Sequence, residues 1–465
     1  MTPPVHDERV LSTLNSDGTR FWIRPKLAKG RFLRRRQIVG YALIALFVAL
    51  PFIRIGDRPA LLLDLVSREL SVFGAVFRPT DGFVLMLLGL TIVLAIFLVT
   101  ALFGRVWCGW GCPQTVYLEH VFRPIERWLE GSPAQQRKLD TTPGVHPRRV
   151  VKWVIYAAIS FLVANVFLAY FVGTERLSRW VLESPLDHMG GFSLVLGVTA
   201  LMMFDFAYFR EQTCIVACPY GRLQTVLLDK QSLVVGYDEK RGEPRGKPKK
   251  KLPVIGEARG DCVDCGACVA VCPTGIDIRK GLQMECIGCA QCIDACDAVM
   301  DKLERPRNLI GYTSQDMLAG KPKRLLRPRT IVYPLLLVLA SGLLVWGVGS
   351  RESAKVWIDR IQGPAFVELP DGAISSQVRL KLENESDETR NYSVTLHDAS
   401  DAKLRAGMLV FSVKPRRSTE IPLFVDVPRA SFVHGKRRVT LRVADDRGFA
   451  RMLVVTLLGP EGGSP

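Results

Sequence analysis

The sequence predicts a multi-domain membrane protein with five transmembrane α-helices, a cysteine-rich insert and a C-terminal all-β domain. Three observations predict this class: apolar runs long enough to cross a bilayer, eight closely spaced cysteines before the last of these runs, and alternating apolar residues after it. The chain has 465 residues, enough for two or three domains, and its 48% content of hydrophobic residues favours membrane segments.

Five stretches are apolar enough, and about long enough, to cross the hydrocarbon core of a bilayer. The first is short and contains Pro51, yet the arginines Arg34 to Arg36 precede it like a start-transfer anchor. No convincing cleavage site follows, so we expect this segment to be retained. The predicted spans are 38–53, 83–103, 153–172, 190–209 and 330–348.

Positive charge follows the expected topology rather than a nucleic-acid interface. The net charge is +17, and no nucleic-acid-binding motif accompanies it. Nine basic residues precede position 37, six lie in 113–150 and five in 321–329, whereas 57–82 and 173–189 carry three and two. Because basic loops stay in the cytoplasm, we predict a bacterial inner-membrane protein with a cytoplasmic N-terminus and insert and a periplasmic C-terminal domain. Membrane lipid is an expected partner, and nucleic acid is not.

Eight of the twelve cysteines form two runs with one spacing, Cys-x2-Cys-x2-Cys-x3-Cys. This spacing is typical of a bacterial two-cluster ferredoxin, in which each [4Fe–4S] cluster takes three thiolates from one run and the fourth from the other. Zinc sites or disulfides are the alternative, but zinc usually takes two separated pairs of ligands. The rule predicts one cluster on Cys262, Cys265, Cys268 and Cys296, and another on Cys286, Cys289, Cys292 and Cys272. Such a chain passes single electrons.

The other four cysteines form two Cys-x3-Cys-Pro pairs, one after the second predicted span and one after the fourth: Cys108 with Cys112, and Cys214 with Cys218. Gln-Thr-Val follows each pair, which indicates a duplicated unit. Residues i and i+4 share a helix face, so the pairs could converge into one four-thiolate site at the cytoplasmic membrane surface. Soft thiolates suit Cu(I), zinc or iron–sulfur. The alternative is buried or reversibly disulfide-linked residues at helix ends.

Several further residues have both a functional and a plainer interpretation. His120 is a candidate ligand for a metal or a quinone headgroup, or an interfacial packing residue. Asp205 lies inside the fourth predicted span, where a carboxylate is costly and tends to be functional, although it can also reach the interface. Met202, Met203, Met189 and His188 suggest a copper site, but methionines in an apolar span usually pack against their neighbours.

The C-terminal region alternates apolar and polar residues with the period of β-strands. Seven short strands separated by turn sequences predict an immunoglobulin-like sandwich, with a docking or spacer role. The predicted domains are a basic cytoplasmic tail (1–37), a four-span membrane domain (38–237), a basic linker (238–260), the ferredoxin domain (261–305), a second basic linker (306–329), the fifth helix (330–348) and the periplasmic immunoglobulin-like domain (351–465).

The ordered set of motifs resembles the FixG/RdxA/CcoG family of membrane polyferredoxins, the accessory proteins of cbb3-type cytochrome c oxidase. Segments 107–120 and 211–221 and the double cysteine run carry the resemblance, which covers nearly the whole chain. It implies assembly of the oxidase by reduction of Cu(II) to Cu(I), with oxidase subunits and copper chaperones or transporters as partners and an unidentified electron donor. It also implies two [4Fe–4S] clusters on the ferredoxin cysteines. The Cys-x3-Cys-Pro pairs would be copper or electron-exit ligands with the catalytic role.

Two other functions stay open on the sequence alone. One is a subunit that oxidises membrane quinol, as in the related nitrate-reductase polyferredoxins, which share the four-span core but not the fifth span or the external domain. The other is a scaffold that is not an enzyme, in which the external domain holds oxidase subunits and the clusters only stabilise the fold.

Overall fold

The computed structural model describes residues 9–15, 17–56, 58–144, 146–246, 260–322, 326–350, 352–360, 364–386, 388–415 and 417–460. The chain divides into two compact units, Met1–Val345 and Trp346–Pro465. The first unit contains four of the predicted spans, most of the fifth and the cysteine-rich insert. The second contains the all-β domain.

Five helices among the described residues are long and apolar enough to cross a membrane, as predicted. The first begins at Arg31 rather than at residue 38, because its basic residues have partners within the protein. Arg31 pairs with Asp297 at 3.3 Å, and Arg36 donates a hydrogen bond to the carbonyl of Gly109 at 2.9 Å. The five helices are Arg31–Phe52, Gly82–Phe103, Pro147–Val172, Met189–Phe209 and Pro328–Gly349.

The segments between these helices are folded and not simple loops. A three-stranded antiparallel sheet, which the sequence analysis did not predict, follows the first membrane helix. Shorter helices are Val106–Trp110, Pro113–Tyr117, Arg123–Glu130, Pro133–Thr141, Thr174–Leu182 and Pro219–Leu227, with π-helical turns at Leu118–Phe122, Asp205–Phe209 and Thr213–Ala217 and 3₁₀ turns at Leu50–Phe52 and Pro79–Asp81. Strands are Arg9–Leu11 with Leu14–Asn15, Arg54–Ile55 with Arg58–Pro59, and Leu61–Asp64, Glu69–Val72 and Ala75–Phe77 in the sheet.

The insert is framed by a two-stranded antiparallel sheet formed by Val234–Tyr237 and Ile310–Thr313. The structure therefore differs from the predicted linkers, since these strands and the helices Glu239–Gly242 and Gln315–Leu318 belong to the folded insert. Among the described residues of the first predicted linker, Arg241 donates a hydrogen bond to Asp261 at 2.6 Å, which anchors it to the insert. Residues 247–259 and 323–325 of the predicted linkers lie outside the described residues. Within the insert the helices are Ala267–Ala270 and Gln291–Lys302, with a 3₁₀ turn at Ile278–Lys280.

The second unit is a sandwich of two antiparallel sheets, which confirms the predicted fold class. Its core is formed by inward-facing residues such as Leu380, Tyr392 and Leu441, all fully buried. Two strands were missing from the prediction, Ala354–Arg360 and Lys403–Ala406. One sheet contains Ala354–Arg360, Val367–Glu368, Ala373–Asn384, Ser418–Pro428 and Lys403–Ala406, and the other contains Val410–Val413, Arg390–Leu396, Lys436–Asp445 and Ala450–Leu458.

Candidate electron-transfer site

The first cavity in the insert, here called site 1, is lined by four cysteines that the ferredoxin spacing assigns to one cluster, three from the first run and one from the second. This exchange of the fourth ligand between the two runs is here called crossed ligation. Gly266, with a φ of 65°, makes the left-handed turn that starts the helix Ala267–Ala270. Arg279 lines the same cavity and is held by Asp277 at 2.7 Å. The cysteines of site 1 are Cys262, Cys265, Cys268 and Cys296.

The second cavity, site 2, is surrounded by the other predicted group. Cys272 from the first run joins three cysteines from the second, and Gly288, with a φ of 67°, turns the loop between two of them. Cys268 lines both cavities, so the two sites share a wall. The cysteines of site 2 are Cys272, Cys286, Cys289 and Cys292.

The donor sets of both sites fit an iron–sulfur cluster better than a single ion. Within the described parts of the chain, no three His, Cys, Asp or Glu side chains are close enough together to hold one metal ion. All twelve cysteines are free thiols rather than disulfides. Burial raises the pKa of Cys289 to about 12 and that of Cys286 to about 11. A bound metal must therefore displace the thiol protons, as metals do when thiolates coordinate them. A [4Fe–4S] cluster on each set would accept and donate one electron at a time.

The four remaining cysteines lie near enough to one another for their thiols to interact, and they are here called the quartet. All six pairs of their thiols interact electrostatically. Cys112 and Cys218 occupy equivalent positions, each immediately before a helix that begins with proline. Burial and the neighbouring thiols raise the pKa of Cys108 and of Cys214 to about 12. The members of the quartet are Cys108, Cys112, Cys214 and Cys218.

A glutamine of each repeat forms hydrogen bonds with the other repeat, and these bonds connect the two halves of the quartet. Gln224 of the second repeat accepts a hydrogen bond from the Cys108 thiol of the first at 3.2 Å. Gln114 of the first repeat donates to Asp205 at 3.2 Å and to the carbonyl of Arg210 at 3.0 Å, both in the second. Asp205 also accepts from Thr213 at 2.5 Å. In this structure Asp205 therefore joins the two repeats.

Site 2 lies directly against the segment that carries Cys108. A Cβ atom placed on Gly109 would lie 2.7 Å from the carbonyl oxygen of Ile287 and 2.8 Å from the Cα of Cys289. Arg105 donates to the carbonyl of Cys286 at 3.1 Å. Backbone therefore touches backbone between the quartet segment and the site 2 loop.

A buried ion network, not predicted from the sequence, supports this region. Arg210 binds both carboxylate oxygens of Glu126, at 3.1 and 3.0 Å, and Lys152 lies 2.6 Å from Glu130. Burial alone would raise the pKa of Glu126, but Arg210, Arg24 and Lys152 together outweigh it and hold the pKa at about 2. The sequence offered only a weak signal, an arginine next to the second cysteine motif.

His120 is buried, with 6% of its surface exposed, and its ring contacts Gly40 and lies 5.9 Å from the ring of Tyr41. Burial, reinforced by the positive charge of Arg36, lowers the pKa of His120 to about 4. This environment is that of a neutral packed histidine. Met202 and Met203 pack against the aromatic core around Tyr117.

Three family models match the chain over segments that agree with this architecture. A 4Fe-4S binding domain matches residues 85–131, a 4Fe-4S dicluster domain residues 209–315, and the Ig-like fold at the C-terminal of FixG residues 344–460. The fold and these matches define a membrane-bound iron–sulfur electron-transfer protein.

Comparison with curated proteins gives the family. The chain is 34% identical to nitrogen fixation protein FixG of Rhizobium meliloti, covering 91% of this chain and 90% of that protein. It is also 34% identical to protein RdxA of Cereibacter sphaeroides, with 95% of each covered. The chain belongs to the FixG/RdxA family.

More distant similarity covers single regions. Ferredoxin-type protein NapH of Escherichia coli is 25% identical over 36% of this chain and 59% of NapH. Among solved structures, a FixG-related protein from Vibrio parahaemolyticus matches 23% of this chain and 98% of its own, at 12% identity and a TM-score of 0.22.

Proposed function

We propose that this protein carries electrons from a cytoplasmic donor through its ferredoxin insert to the quartet, where Cu(II) is reduced to Cu(I) for assembly of a cbb3-type cytochrome c oxidase. The observation that carries this proposal is the packing of the quartet segment on site 2, with Gly109 against Ile287 and Cys289. Such contact gives the insert an acceptor within the same compact unit.

The quartet suits copper as a passing substrate and not as a resident ion, since no three of its thiols, all of which the structure describes, are close enough together to hold one metal ion. Sulfur ligands favour Cu(I), whereas Cu(II) prefers nitrogen and oxygen. Copper binding there would release the thiol protons of Cys108 and Cys214, whose burial keeps them protonated at neutral pH. Each Cu(II) takes one electron and becomes Cu(I). The electrons come from a low-potential one-electron donor. Bound clusters would store these electrons one at a time.

In this proposal the quartet and the insert lie on the cytoplasmic side of a bacterial inner membrane and the C-terminal domain lies in the periplasm. The positive-inside rule supports this orientation, because the loops next to them are basic. Copper would therefore be handled at the cytoplasmic face. Oxidase subunits and copper chaperones or transporters are the partners that this role requires, and the C-terminal sandwich offers a docking domain outside the membrane.

The test is anaerobic reduction of the full-length protein with dithionite, removal of excess reductant, and addition of Cu(II) with a Cu(I)-specific chelator. Wild-type protein should yield about two Cu(I), one for each stored electron. Cys108→Ser with Cys214→Ser should retain the iron of the ferredoxin sites and lose most of the yield. Met202→Leu with Met203→Leu is the matched control and should behave as wild type. An unchanged yield in the quartet variant would refute the assigned route.

A thiol count after the reaction guards against a simpler chemistry. Two thiols can reduce two Cu(II) by forming one disulfide and releasing two protons. If the Cu(I) formed is matched by disulfide rather than by reoxidation of the clusters, the quartet is the reductant itself and the proposal fails.

The same preparation discriminates the other two functions. Bleaching of the iron–sulfur absorption by a reduced quinol would favour a quinol-oxidising subunit, in which buried His120 beside Tyr41 is the candidate headgroup contact. Oxidase assembly supported by a folded variant without clusters would favour a scaffold.

A further inference from the structure

Site 1 and site 2 differ in their surroundings. Of the twelve cysteines, all of which the structure describes, only Cys265 of site 1 is exposed. Site 2 instead lies behind the segment that carries Cys108, with Cys289 buried at the contact. The two sites are therefore not equivalent as points of electron exchange.

The three clusters of cysteines, site 1, site 2 and the quartet, follow one another in space. Cys268 lines both cavities, so site 1 adjoins site 2. Gly109 then joins site 2 to the quartet, because it is the direct neighbour of Cys108 and contacts Cys289. The order is site 1, site 2, quartet.

On the basis of the proposed function, we infer that electrons enter at site 1, beside exposed Cys265, and leave only through site 2. In this arrangement Gly109 is the positioning residue that sets the distance from site 2 to the quartet. Any side chain at position 109 would collide with the Ile287 carbonyl at 2.7 Å and with Cys289 at 2.8 Å. These are backbone atoms, which cannot rotate away, so the site 2 loop would have to move.

Two further side chains hold the same contact. Tyr312 donates to the carbonyl of Gly288 at 2.7 Å and accepts from Trp110 at 2.9 Å, which links the site 2 loop to the quartet segment. Arg105 binds the carbonyl of Cys286. Both are positioning residues that contact the loop and not the cavity.

The order of the sites is tested first without copper. Reduced protein is examined by EPR power saturation with a water-soluble paramagnetic nickel chelate. The chelate should speed the relaxation of the site 1 signal, which is the one that Cys265→Ala removes. It should have far less effect on the site 2 signal, which is the one that Cys286→Ala removes. In Gly109→Ala, only the midpoint potential of the latter signal should shift. Relaxation of the site 2 signal instead, or a shift confined to site 1, would overturn the inference.

The second arm measures reoxidation by Cu(II). Gly109→Ala should retain iron content and both EPR signals but reoxidise at least about tenfold more slowly, since small displacements of reacting groups can have effects of this size or larger. Tyr312→Phe should show a smaller loss. Gly89→Ala is the matched control, because a Cβ there meets open space. A wild-type rate in Gly109→Ala overturns the role of this residue. If wild-type protein reduces no copper, the proposed function fails, and the copper-free arm still decides the order.

Discussion

Asp294, which lies between Cys292 and Cys296 in the insert, accepts a hydrogen bond of 2.8 Å from the backbone amide of Leu33 in the first turn of the first membrane helix. Its other oxygen accepts from the amide of Phe32 at 3.1 Å. The first amides of a helix lack intrahelical partners and carry partial positive charge. The ferredoxin insert therefore caps a membrane helix, so the insert and the start of that helix stabilise each other.

We expect Asp294→Ala to lower the free energy of unfolding by about 1 kcal/mol, and by no more than about 2, the usual cost of a lost helix cap. Asp294→Asn should retain most of the stability because its amide oxygen still accepts one bond. Thermal unfolding followed by circular dichroism in detergent measures both. Asp301→Ala, an exposed position on the same helix, is the control. Equal losses in the Ala and Asn variants would contradict the cap.

Breaking the buried pair of Glu126 and Arg210 should be far more damaging. Glu126→Gln removes the carboxylate that binds the buried Arg210 guanidinium through both oxygens and leaves it only the longer contact with Glu211 at 3.7 Å. Breaking a buried ion pair typically costs roughly 3–5 kcal/mol. Arg210→Lys should also destabilise, because an ammonium cannot bind both carboxylate oxygens. The readout is the melting temperature of the purified protein. Glu420→Gln breaks an exposed contact with Arg379 and should change stability by less than about 1 kcal/mol. Similar losses of stability at the two pairs would contradict the claim that burial makes the Glu126–Arg210 pair the more costly one to break.

Acid should destabilise the protein through His120. Its pKa is about 4 in the folded state, against the ordinary histidine value of 6.5, so between these values the unfolded chain binds a proton that the folded chain does not. The contribution of neutral His120 to the free energy of unfolding is therefore fully present above about pH 6.5 and is lost as the pH drops toward 4. The loss reaches up to about 3 kcal/mol, at about 1.4 kcal/mol per pH unit. His120→Asn should flatten the melting temperature over that window. An unchanged pH profile in this variant would show that another group titrates.

Crossed ligation can be tested by comparing single replacements. Cys272 belongs to the first run but lines site 2, whereas Cys296 belongs to the second run and lines site 1. We therefore expect Cys272→Ala to remove the same EPR signal as Cys286→Ala, and Cys296→Ala the same as Cys265→Ala. In each variant, about half of the iron should be lost. If Cys272→Ala matched Cys265→Ala, each run would bind its own cluster.

Periodicity and composition were sufficient to predict the membrane helices and the sandwich. Apolar runs have a length fixed by the bilayer, and alternating residues such as Val439 and Leu441 point inward by the geometry of the strand. The strand Lys403–Ala406 was missed because it is short and half charged. The linkers were misjudged because composition reports charge but not its partners, as for Arg241 with Asp261.

For the site, spacing alone grouped the ferredoxin cysteines, because ligation of a fixed cluster restricts the loop that wraps it. Repetition of the Cys-x3-Cys-Pro motif also related Cys108 to Cys214, whose thiols interact in the structure. Sequence could not indicate that Gly109 meets Cys289, since that contact depends on the docking of two segments far apart in the chain. The same holds for Glu126 and Arg210, which are ordinary charged residues until the fold buries them together.

The central claim is that electrons held in the insert reach copper through the quartet. The most direct measurement is anaerobic stopped-flow mixing of dithionite-reduced protein with Cu(II) and a Cu(I) chelator, following cluster absorption and the Cu(I) complex in one experiment. We predict one shared rate for both signals and its loss in Cys108→Ser with Cys214→Ser. Cu(I) that appears while the clusters stay reduced, or an unchanged rate in that variant, would contradict the claim.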